Sequence, residues 1–323
     1  MTDLVTIDQV RAAAETIAGQ VVRTPAIVSP GLSARLGCPA TLKLELLQKS
    51  GCFKPRGIVN KIAALNPDER AKGLITVSGG NHGIATAMIA REMGLAATIV
   101  MPEKAPERSK DRIRNDGATL ILVADVSEAF QAAEAERAKG LTYLHSYDDP
   151  LIIAGHGTVG LELLADAPDL TDVLVSIGGG GLISGVATAL KALKPTIRIW
   201  GVETEGAEAM TAALKVDAPV NVKVTSISST LGAPNATERT LAHVKALVER
   251  VLLVPDRDAV AGMVALAEDA KLWVEPAAGC LVPAADAVLR EVGPAARLGL
   301  VICGGNVTHG DVRGWLDRFG MTP

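Results

Sequence analysis

Aromatic residues are scarce in this sequence, and basic residues are not in excess over acidic ones. Phe, Trp and Tyr make up 2% of the 323 residues, and the formal net charge at pH 7 is −4. Because the 32 Lys and Arg residues are scattered along the chain, no basic face for nucleic acid is expected. No apolar run reaches the roughly 18 residues of a membrane span, and residues 1–20 have an amphipathic helical pattern without the basic start of a signal peptide. We therefore expect no membrane partner and a cytoplasmic location.

Cysteine is also sparse, and its spacing excludes the common metal motifs. Cys38, Cys52, Cys280 and Cys303 form no CxxC pair and no Cys/His ligand pattern. Each lies among apolar residues or glycines, which indicates reduced thiols and not a disulfide framework. The length and a composition that is 48% hydrophobic and 21% charged predict a globular protein of about two domains.

Short β-rich runs alternate with helical patterns along the chain. Strands are predicted at 41–46, 74–77, 97–101, 119–123, 173–177, 198–203, 251–254 and 299–303. Helices are predicted at 58–64, 84–93, 106–115, 126–138, 151–164, 182–193, 259–271 and 281–292. This rhythm predicts an α/β protein with two doubly wound, parallel-sheet domains, whose boundaries we place at Lys54 and near Pro150.

A lysine follows a glycine turn and an aromatic residue in the run Gly51-Cys52-Phe53-Lys54-Pro55. The proline predicts that a helix starts directly after Lys54. A lysine that is partly desolvated at such a place has a lowered pKa, and its free amine suits Schiff-base chemistry. The alternative is an ordinary solvated lysine.

Two glycine-rich turns each follow a predicted strand and precede a predicted helix. In Ser78-Gly79-Gly80-Asn81-His82, exposed backbone N–H groups predict a site for a carboxylate or phosphate, to which the Asn81 amide adds. We interpret His82 as a packing residue of the helix start, and a plain βα turn is the alternative. The second turn holds four consecutive glycines, which can wrap a phosphate with several N–H donors: Gly178, Gly179, Gly180 and Gly181, followed by Leu182.

A dinucleotide site is the rival interpretation of the four-glycine turn. Gly179, Gly181 and Ser184 come near the dinucleotide fingerprint, and Glu203 stands where a ribose-binding acid would be. The match lacks the third glycine or alanine, however, and it leaves Lys54 and Asn81 without a role.

The last informative segment is Val301-Ile302-Cys303-Gly304-Gly305-Asn306. A strand that ends in glycines would place the Cys303 thiol at the carboxyl edge of the sheet, where open α/β sheets bind ligands. A buried structural thiol explains the segment equally well.

In this order and spacing, the segments resemble the fold-type II family of pyridoxal-phosphate enzymes, specifically the branch of threonine/serine dehydratases and serine racemases. The resemblance spans nearly the whole chain, and the segments 154–158 and 274–279 also match, with His156 in place of the usual glutamine. It implies that Lys54 forms the Schiff base with pyridoxal 5'-phosphate, with Phe53 beside it. It further implies that residues 78–82 hold the substrate carboxylate, that Asn81 contacts the cofactor's ring hydroxyl, that residues 178–182 hold its phosphate, and that Cys303 faces its pyridine nitrogen.

The resemblance also implies a fold like that of the tryptophan synthase β-subunit and a homodimer. Its large cofactor-binding domain would comprise residues 1–53 and 151–323, and its small substrate-binding domain residues 54–150. The implied reaction is β-elimination, in which a β-hydroxy amino acid becomes a keto acid and ammonia, with no carboxylic acid of these motifs as an obvious proton donor. Amino-acid racemisation and dinucleotide binding are the two alternatives.

Three departures from the family pattern narrow these expectations. Gly79 stands where racemases of this branch carry a second base, a serine, so racemisation is disfavoured. The first two metal-ligand positions are matched by Glu203 and Ala207, but Ala209 fills the third, so no dedicated metal site is expected. Segments 145–150 and 228–232 differ from the family pattern and are expected to line the substrate cavity. The identity of the substrate is therefore left open between threonine, serine and bulkier analogues such as phenylserine or hydroxyaspartate.

Overall fold

The fold, given by a computed structural model that describes residues 4–321, is built on two sheets. Its strands are β1 Ala26–Val28, β2 Ala40–Lys43, β3 Leu74–Val77, β4 Ala97–Pro102, β5 Thr119–Val123, β6 Thr142–Tyr143, β7 Asp172–Ser176, β8 Arg198–Thr204, β9 Arg250–Val254 and β10 Leu298–Val301. The larger sheet has the order β1-β2-β10-β7-β8-β9, and the smaller one has the order β5-β4-β3-β6. Only β1 runs antiparallel to its neighbour among these pairings. The predicted α/β fold with two parallel sheets is therefore confirmed.

Helices separate most of these strands. They are α1 Ile7–Ile17, α2 Pro30–Leu36, α3 Pro55–Ala63, α4 Pro67–Lys72, α5 Asn81–Glu92, α6 Glu107–Asn115, α7 Val126–Ala138, α8 Pro150–Asp166, α9 Gly181–Leu193, α10 Ala209–Val216, α11 Glu238–Leu247, α12 Asp256–Ala270, α13 Pro276–Gly279, α14 Leu281–Val292 and α15 His309–Phe319. Within residues 4–321, no helix is both long and apolar enough to span a bilayer. The amphipathic helix expected over residues 1–20 corresponds to α1, and residues 1–3 of that prediction lie outside the described part of the chain.

Two predicted strands end two or three residues earlier than expected. The strand predicted at 41–46 stops at Lys43, because Glu45–Leu47 forms a 3-10 turn. The strand predicted at 299–303 stops at Val301, and the Cys303 carbonyl instead accepts a hydrogen bond from the Phe53 backbone. Both chain segments thus leave the large sheet at the same edge, where they meet the start of α3.

The start of α3 is fixed by close packing against α8. A Cβ atom on Gly155 of α8 would overlap the backbone carbonyl of Arg56, so only glycine allows this approach. Gly157 is similarly close to α1 and α9, since a Cβ there would lie 2.7 Å from Val10. The backbone next to Lys54 is therefore held against the helices that cover the large sheet.

A cluster of buried charges also holds α3 in place. The fully buried Arg56 guanidinium donates to Glu45 at 2.8 Å and to Glu162 at 2.7 Å. Lys43, also fully buried, pairs with Glu162 at 2.5 Å. Buried charges are tolerated only where they are paired and hydrogen-bonded in this way. The cluster therefore fixes Arg56, two residues beyond Lys54, to both β2 and α8.

Candidate active site

One cavity of about 440 Å³ brings the predicted site residues together. It lies where β3, β7 and β10 end, so residues of both sheets line it. The lining includes Phe53, Lys54, residues 77–82, residues 145–147, Ser176, residues 178–182, residues 229–234, Glu275, Ala277 and Cys303. The segments expected to line a substrate cavity, 145–150 and 228–232, contribute residues 145–147 and 229–232. The carboxyl edge of parallel strands is the usual ligand-binding edge of such sheets.

Lys54 reaches the cavity from the residue directly before α3. Its side chain is half-buried, and its Nζ donates to the backbone carbonyl of Ser146 at 2.6 Å. Burial lowers the pKa of this amine from its usual value to about 8, although the Glu275 charge acts in the opposite direction. About a tenth of the amine is therefore unprotonated at pH 7, far more than for an ordinary lysine, and the free amine is the form that nucleophilic chemistry requires.

The four-glycine turn joins β7 to the start of α9. Gly180 has φ of +93°, and a Cβ there would lie 2.7 Å from Thr240 and 2.9 Å from Met210. A Cβ on Gly179 would overlap the ring of Tyr147. Among the described residues, no side chain caps the start of α9. Its first N–H groups are therefore available to an anion in the cavity.

The turn at residues 78–82 forms a second helix start at the same cavity. The Ser78 hydroxyl accepts from the Gly80 N–H at 3.3 Å, and no side chain in the described region caps α5. A Cβ on Gly79 would make one tight contact, with the Ala105 methyl group at 3.3 Å, and would fit after a small shift of that group. The buried His82 ring lies 3.2 Å from the Leu144 carbonyl, and burial lowers its pKa well below the usual value. A neutral, packed imidazole agrees with the interpretation of His82 as a helix-start residue.

Asn81 faces a buried carboxylate that the sequence motifs did not reveal. Its Nδ2 donates to both oxygens of Glu275 at 3.0 Å, and the Thr230 hydroxyl donates to Glu275 at 3.1 Å. Burial raises the pKa of this carboxyl, and hydrogen bonds from Asn81 and Thr230 oppose that shift. The matching segment 274–279 pointed to this part of the chain but gave Glu275 no role. The only signal in the sequence was that Glu275 is a single acidic residue directly before Pro276, within an apolar run.

Cys303 places a neutral thiol in the cavity wall. Its Sγ accepts from the Ser176 hydroxyl at 3.4 Å, and burial raises the pKa of the thiol well above its usual value. Cys52 does not line this cavity, and burial raises its pKa to about 11. Cys38, Cys52, Cys280 and Cys303 are all free thiols, as expected.

Tyr147 belongs to segment 145–150, which was expected to line the substrate cavity, and it does line the cavity. Its hydroxyl donates to the Asn235 carbonyl at 3.1 Å, and its ring lies against Gly179. The ring of His145 contacts it edge-on, with centroids 4.7 Å apart. Tyr147 therefore forms the wall of the cavity beside the four-glycine turn.

Glu203, which the dinucleotide interpretation required, serves a different purpose. Its two carboxylate oxygens accept the backbone N–H groups of Met210 and Thr211 at 2.8 Å. The side chain thus caps the start of α10 and is not free for a ribose. Within residues 4–321, no three His, Cys, Asp or Glu side chains are grouped as metal ligands.

The half-buried Lys54 lies beside two helix starts that no described side chain caps, at the carboxyl edges of two parallel sheets. This arrangement is typical of an α/β enzyme that binds a phosphorylated ligand. Residues 17–304 match the family described as "Pyridoxal-phosphate dependent enzyme", and the chain belongs to this family. The predicted family and the predicted cofactor, pyridoxal 5'-phosphate, are confirmed.

Several known proteins are similar to this chain over most of its length. It is 36% identical over 307 residues to an L-threonine ammonia-lyase of Thermotoga maritima, covering 94% of this chain and 76% of that protein. It resembles the structure of maize serine racemase with a TM-score of 0.90, 32% identity and 98% coverage of each chain. It resembles the processed form of threonine deaminase isoform 2 from Solanum lycopersicum with a TM-score of 0.90, 27% identity, and coverage of 98% and 95%.

The residues of the cavity fit the cofactor of this family. The Lys54 amine can bind an aldehyde carbon covalently, and the four-glycine turn offers N–H donors to a phosphate where a Cβ would collide with neighbouring groups. Asn81 and the neutral Cys303 thiol supply polar contacts in the same cavity. Pyridoxal phosphate provides an electron sink, and these residues would hold and orient it.

Proposed function

We propose that this protein is an ammonia-lyase that converts a β-hydroxy amino acid to a keto acid and ammonia by β-elimination of water. The observation that carries the proposal is the half-buried Lys54 amine, with a pKa of about 8, in one cavity with the four-glycine turn. The similarity to an L-threonine ammonia-lyase and to a threonine deaminase supports the same reaction.

Apart from protonation of the leaving β-hydroxyl, for which no residue is assigned, the chemical tasks each have a candidate residue in the cavity. The neutral form of the Lys54 amine takes the α-proton of the substrate. The N–H groups of residues 78–82, at the start of α5, hold the substrate carboxylate. Asn81 contacts the cofactor's ring hydroxyl, Phe53 lies beside Lys54, and the Cys303 thiol faces the ring nitrogen. When bound, the cofactor supplies the electron sink that makes the α-proton acidic.

Racemisation is the second candidate, because the similarity to maize serine racemase is as strong as any of these resemblances. A two-base racemase needs a proton donor on each face of the α-carbon. Gly79, which has no side chain, cannot supply one. Elimination is therefore the main reaction in this proposal, and racemisation is a minor one.

The two sheets support a division into two domains. All four strands of the smaller sheet lie between Leu74 and Tyr143, and the strands of the larger sheet lie outside that range. We assign residues 54–150 to a small substrate-binding domain, and residues 1–53 and 151–323 to a large cofactor-binding domain.

We also propose a homodimer in solution. The edge strand β1 exposes Ile27 and Val28, with 41% and 60% of their surfaces accessible, and Leu47 and Trp273 are exposed as well. Exposed apolar groups on an edge strand favour burial against another chain. Light scattering on the holoenzyme tests this proposal, and a monomer at micromolar concentration would refute it.

A substrate panel tests the reaction. Holoenzyme is incubated with L-threonine, L-serine, phenylserine and β-hydroxyaspartate, and keto acid and ammonia are measured in the same samples. We expect both products in equal amounts from at least one substrate, and none with Lys54→Ala. Holoenzyme that binds the cofactor but forms no keto acid from any of the four would refute the proposed reaction.

A further inference from the structure

The Asn81 amide is held by hydrogen bonds at both of its ends. Its Nδ2 donates to the Glu275 carboxylate at 3.0 Å, and its Oδ1 accepts from Asn306 Nδ2 at 2.7 Å. The Asn81 side chain is buried and also lines the cavity. Because one partner is an acceptor and the other a donor, only one orientation of the amide satisfies both.

Arg112 fixes the orientation of Asn306 in the same way. Its NH1 group donates to Asn306 Oδ1 at 2.6 Å, and its NH2 group donates to the Ser50 carbonyl at 3.2 Å. Asn306 Nδ2 also donates to this carbonyl, at 3.0 Å. An arginine side chain can only donate, so it requires Oδ1 of Asn306 to point towards it. The Nδ2 group must then point towards Asn81.

The chain of contacts therefore has a fixed direction from Arg112 to Glu275. If Asn306 were flipped, its oxygen would face the Asn81 oxygen, and two acceptors would be left without a proton between them. Two donors would also meet between Asn306 and Arg112. A buried polar group without a hydrogen-bond partner is strongly unfavourable, so the flipped arrangement is disfavoured.

These contacts join the two parts of the fold. Arg112 is on α6 and Asn81 on α5, both beside the smaller sheet, whereas Asn306 and Glu275 belong to segments beside the larger sheet. The fit around Asn306 is tight, since a Cβ on Gly51 would lie 2.7 Å from its Oδ1. Arg112 itself is half-buried and does not line the cavity.

We propose that Arg112 is a positioning residue that sets, through Asn306, the direction in which the Asn81 amide faces the cofactor. The inference relies on the proposed contact between Asn81 and the cofactor's ring hydroxyl. Without Arg112, Asn306 loses one of the contacts that orient its amide and keeps the bond to the Ser50 carbonyl, so the Asn81 amide is held less firmly on the Asn306 side. The electronic state of the bound cofactor should then change although no residue that touches it has been replaced.

The test compares Arg112→Met, Arg112→Lys and Arg114→Met in holoenzyme. Arg114 is on the same helix but exposed, where it pairs with Glu107 and Asp111, and it serves as the matched control. The measurement is the cofactor's absorbance spectrum as a function of pH, recorded without substrate. We expect Arg112→Met to shift the band or its titration midpoint, Arg112→Lys to restore it partly, and Arg114→Met to leave it unchanged.

Kinetics add a second measurement. Arg112→Met should lower kcat about tenfold, as the loss of one well-placed hydrogen bond does, with a much smaller change in KM. An unchanged spectrum in Arg112→Met would overturn the proposal. Because the spectrum is read without substrate, this result is independent of whether the proposed elimination reaction occurs.

Variants of Asn306 test whether the effect of Arg112 on Asn81 passes through Asn306. They also distinguish this effect from a folding defect in Arg112→Met. Asn306→Asp keeps an acceptor for Arg112 but removes the donor to Asn81, so we expect a spectral shift in the same direction. In an Asn306→Ala background, Arg112→Met should cause no further shift, because the effects of coupled residues are not additive. A normal spectrum in Asn306→Asp, or a full additional shift in the double variant, would refute the relay through Asn306.

Discussion

Lys54 and Ser146 are joined by a hydrogen bond in which the amine donates to the backbone carbonyl at 2.6 Å. A carbonyl oxygen orients the amine but carries no net charge, so it offsets little of the desolvation that accompanies burial. Among the residues that the structure describes, one buried carboxylate lines the cavity, that of Glu275, and it accepts from Asn81 and Thr230. Lys54 is therefore held in position while its pKa is lowered.

The lowered pKa of Lys54 predicts how fast the apoprotein takes up pyridoxal phosphate at different pH values. The ammonium form predominates below pH 8 and the reactive amine above it, because the pKa is about 8. The rate of covalent incorporation, followed by absorbance and by borohydride trapping, should rise with pH and level off just above 8. A rate that continues to rise towards a pH of about 10 would indicate an ordinary lysine. Lys49→Ala, which removes an exposed lysine paired with Glu92, should leave the profile unchanged.

Gly180→Val should weaken cofactor retention strongly. Valine rarely adopts φ of +93°, and its Cβ would lie 2.7 Å from Thr240, so the turn must move away from the phosphate. We expect the dissociation constant to rise about 100-fold or more, as for the loss of two hydrogen bonds to a charged group. Equilibrium dialysis measures it. The control is Gly314→Val on α15, where a Cβ meets nothing within 4 Å; equal affinities in the two variants would place the phosphate elsewhere.

Gly79→Ser should increase the share of racemisation. A serine Cβ would make one tight contact, with the Ala105 methyl group at 3.3 Å, which a small shift relieves, and the hydroxyl would add a proton donor at the cavity. Chiral chromatography and a keto-acid assay on the same reaction give the ratio of D-amino acid to keto acid. We expect this ratio to rise in the variant and to stay well below one in the unmodified enzyme. D-amino acid forming faster than keto acid in the unmodified enzyme would show that another residue, such as Tyr147, acts as the second base.

Arg56→Ala should destabilise the fold severely. It would leave the carboxylates of Glu45 and Glu162 without their main partner in a buried environment, at a cost of about 3–5 kcal/mol. Urea unfolding followed by circular dichroism measures the loss. Arg23→Ala removes an exposed partner of Asp166 and should cost less than about 1 kcal/mol. Similar losses in both variants would contradict the structural role given to the buried cluster.

Elements with a strong local pattern were predicted with accurate bounds. The strands 74–77 and 119–123 and the helices 126–138 and 281–292 match the structure residue for residue. The strands β1 and β6 were missed, because segments of three and two residues carry no readable alternation. Their pairing with β2 and β3 is set by tertiary contacts.

The same difference applies to the site, where some features depend on adjacent residues and others on residues far apart in the sequence. Lys54 and both glycine-rich turns could be predicted because each has its chemistry within a few adjacent residues. The contact between Asn81 and Glu275, and that between Arg112 and Asn306, each join residues 194 positions apart. No local pattern encodes such a pair, so Glu275 and Arg112 became visible only in the folded chain.

The close packing of α3 against α8 limits how the substrate preference can be redesigned. Bulk added at Gly155 would overlap the backbone of Arg56 and so disturb the start of α3, next to Lys54. Residues 229–234 line the cavity from a short 3-10 turn and irregular chain. Two of them have fixed tasks, since Thr230 donates to Glu275 and the buried Leu231 packs against Gly178. A library for new side-chain specificity should therefore diversify the other residues of this segment and keep the contact between α3 and α8 unchanged.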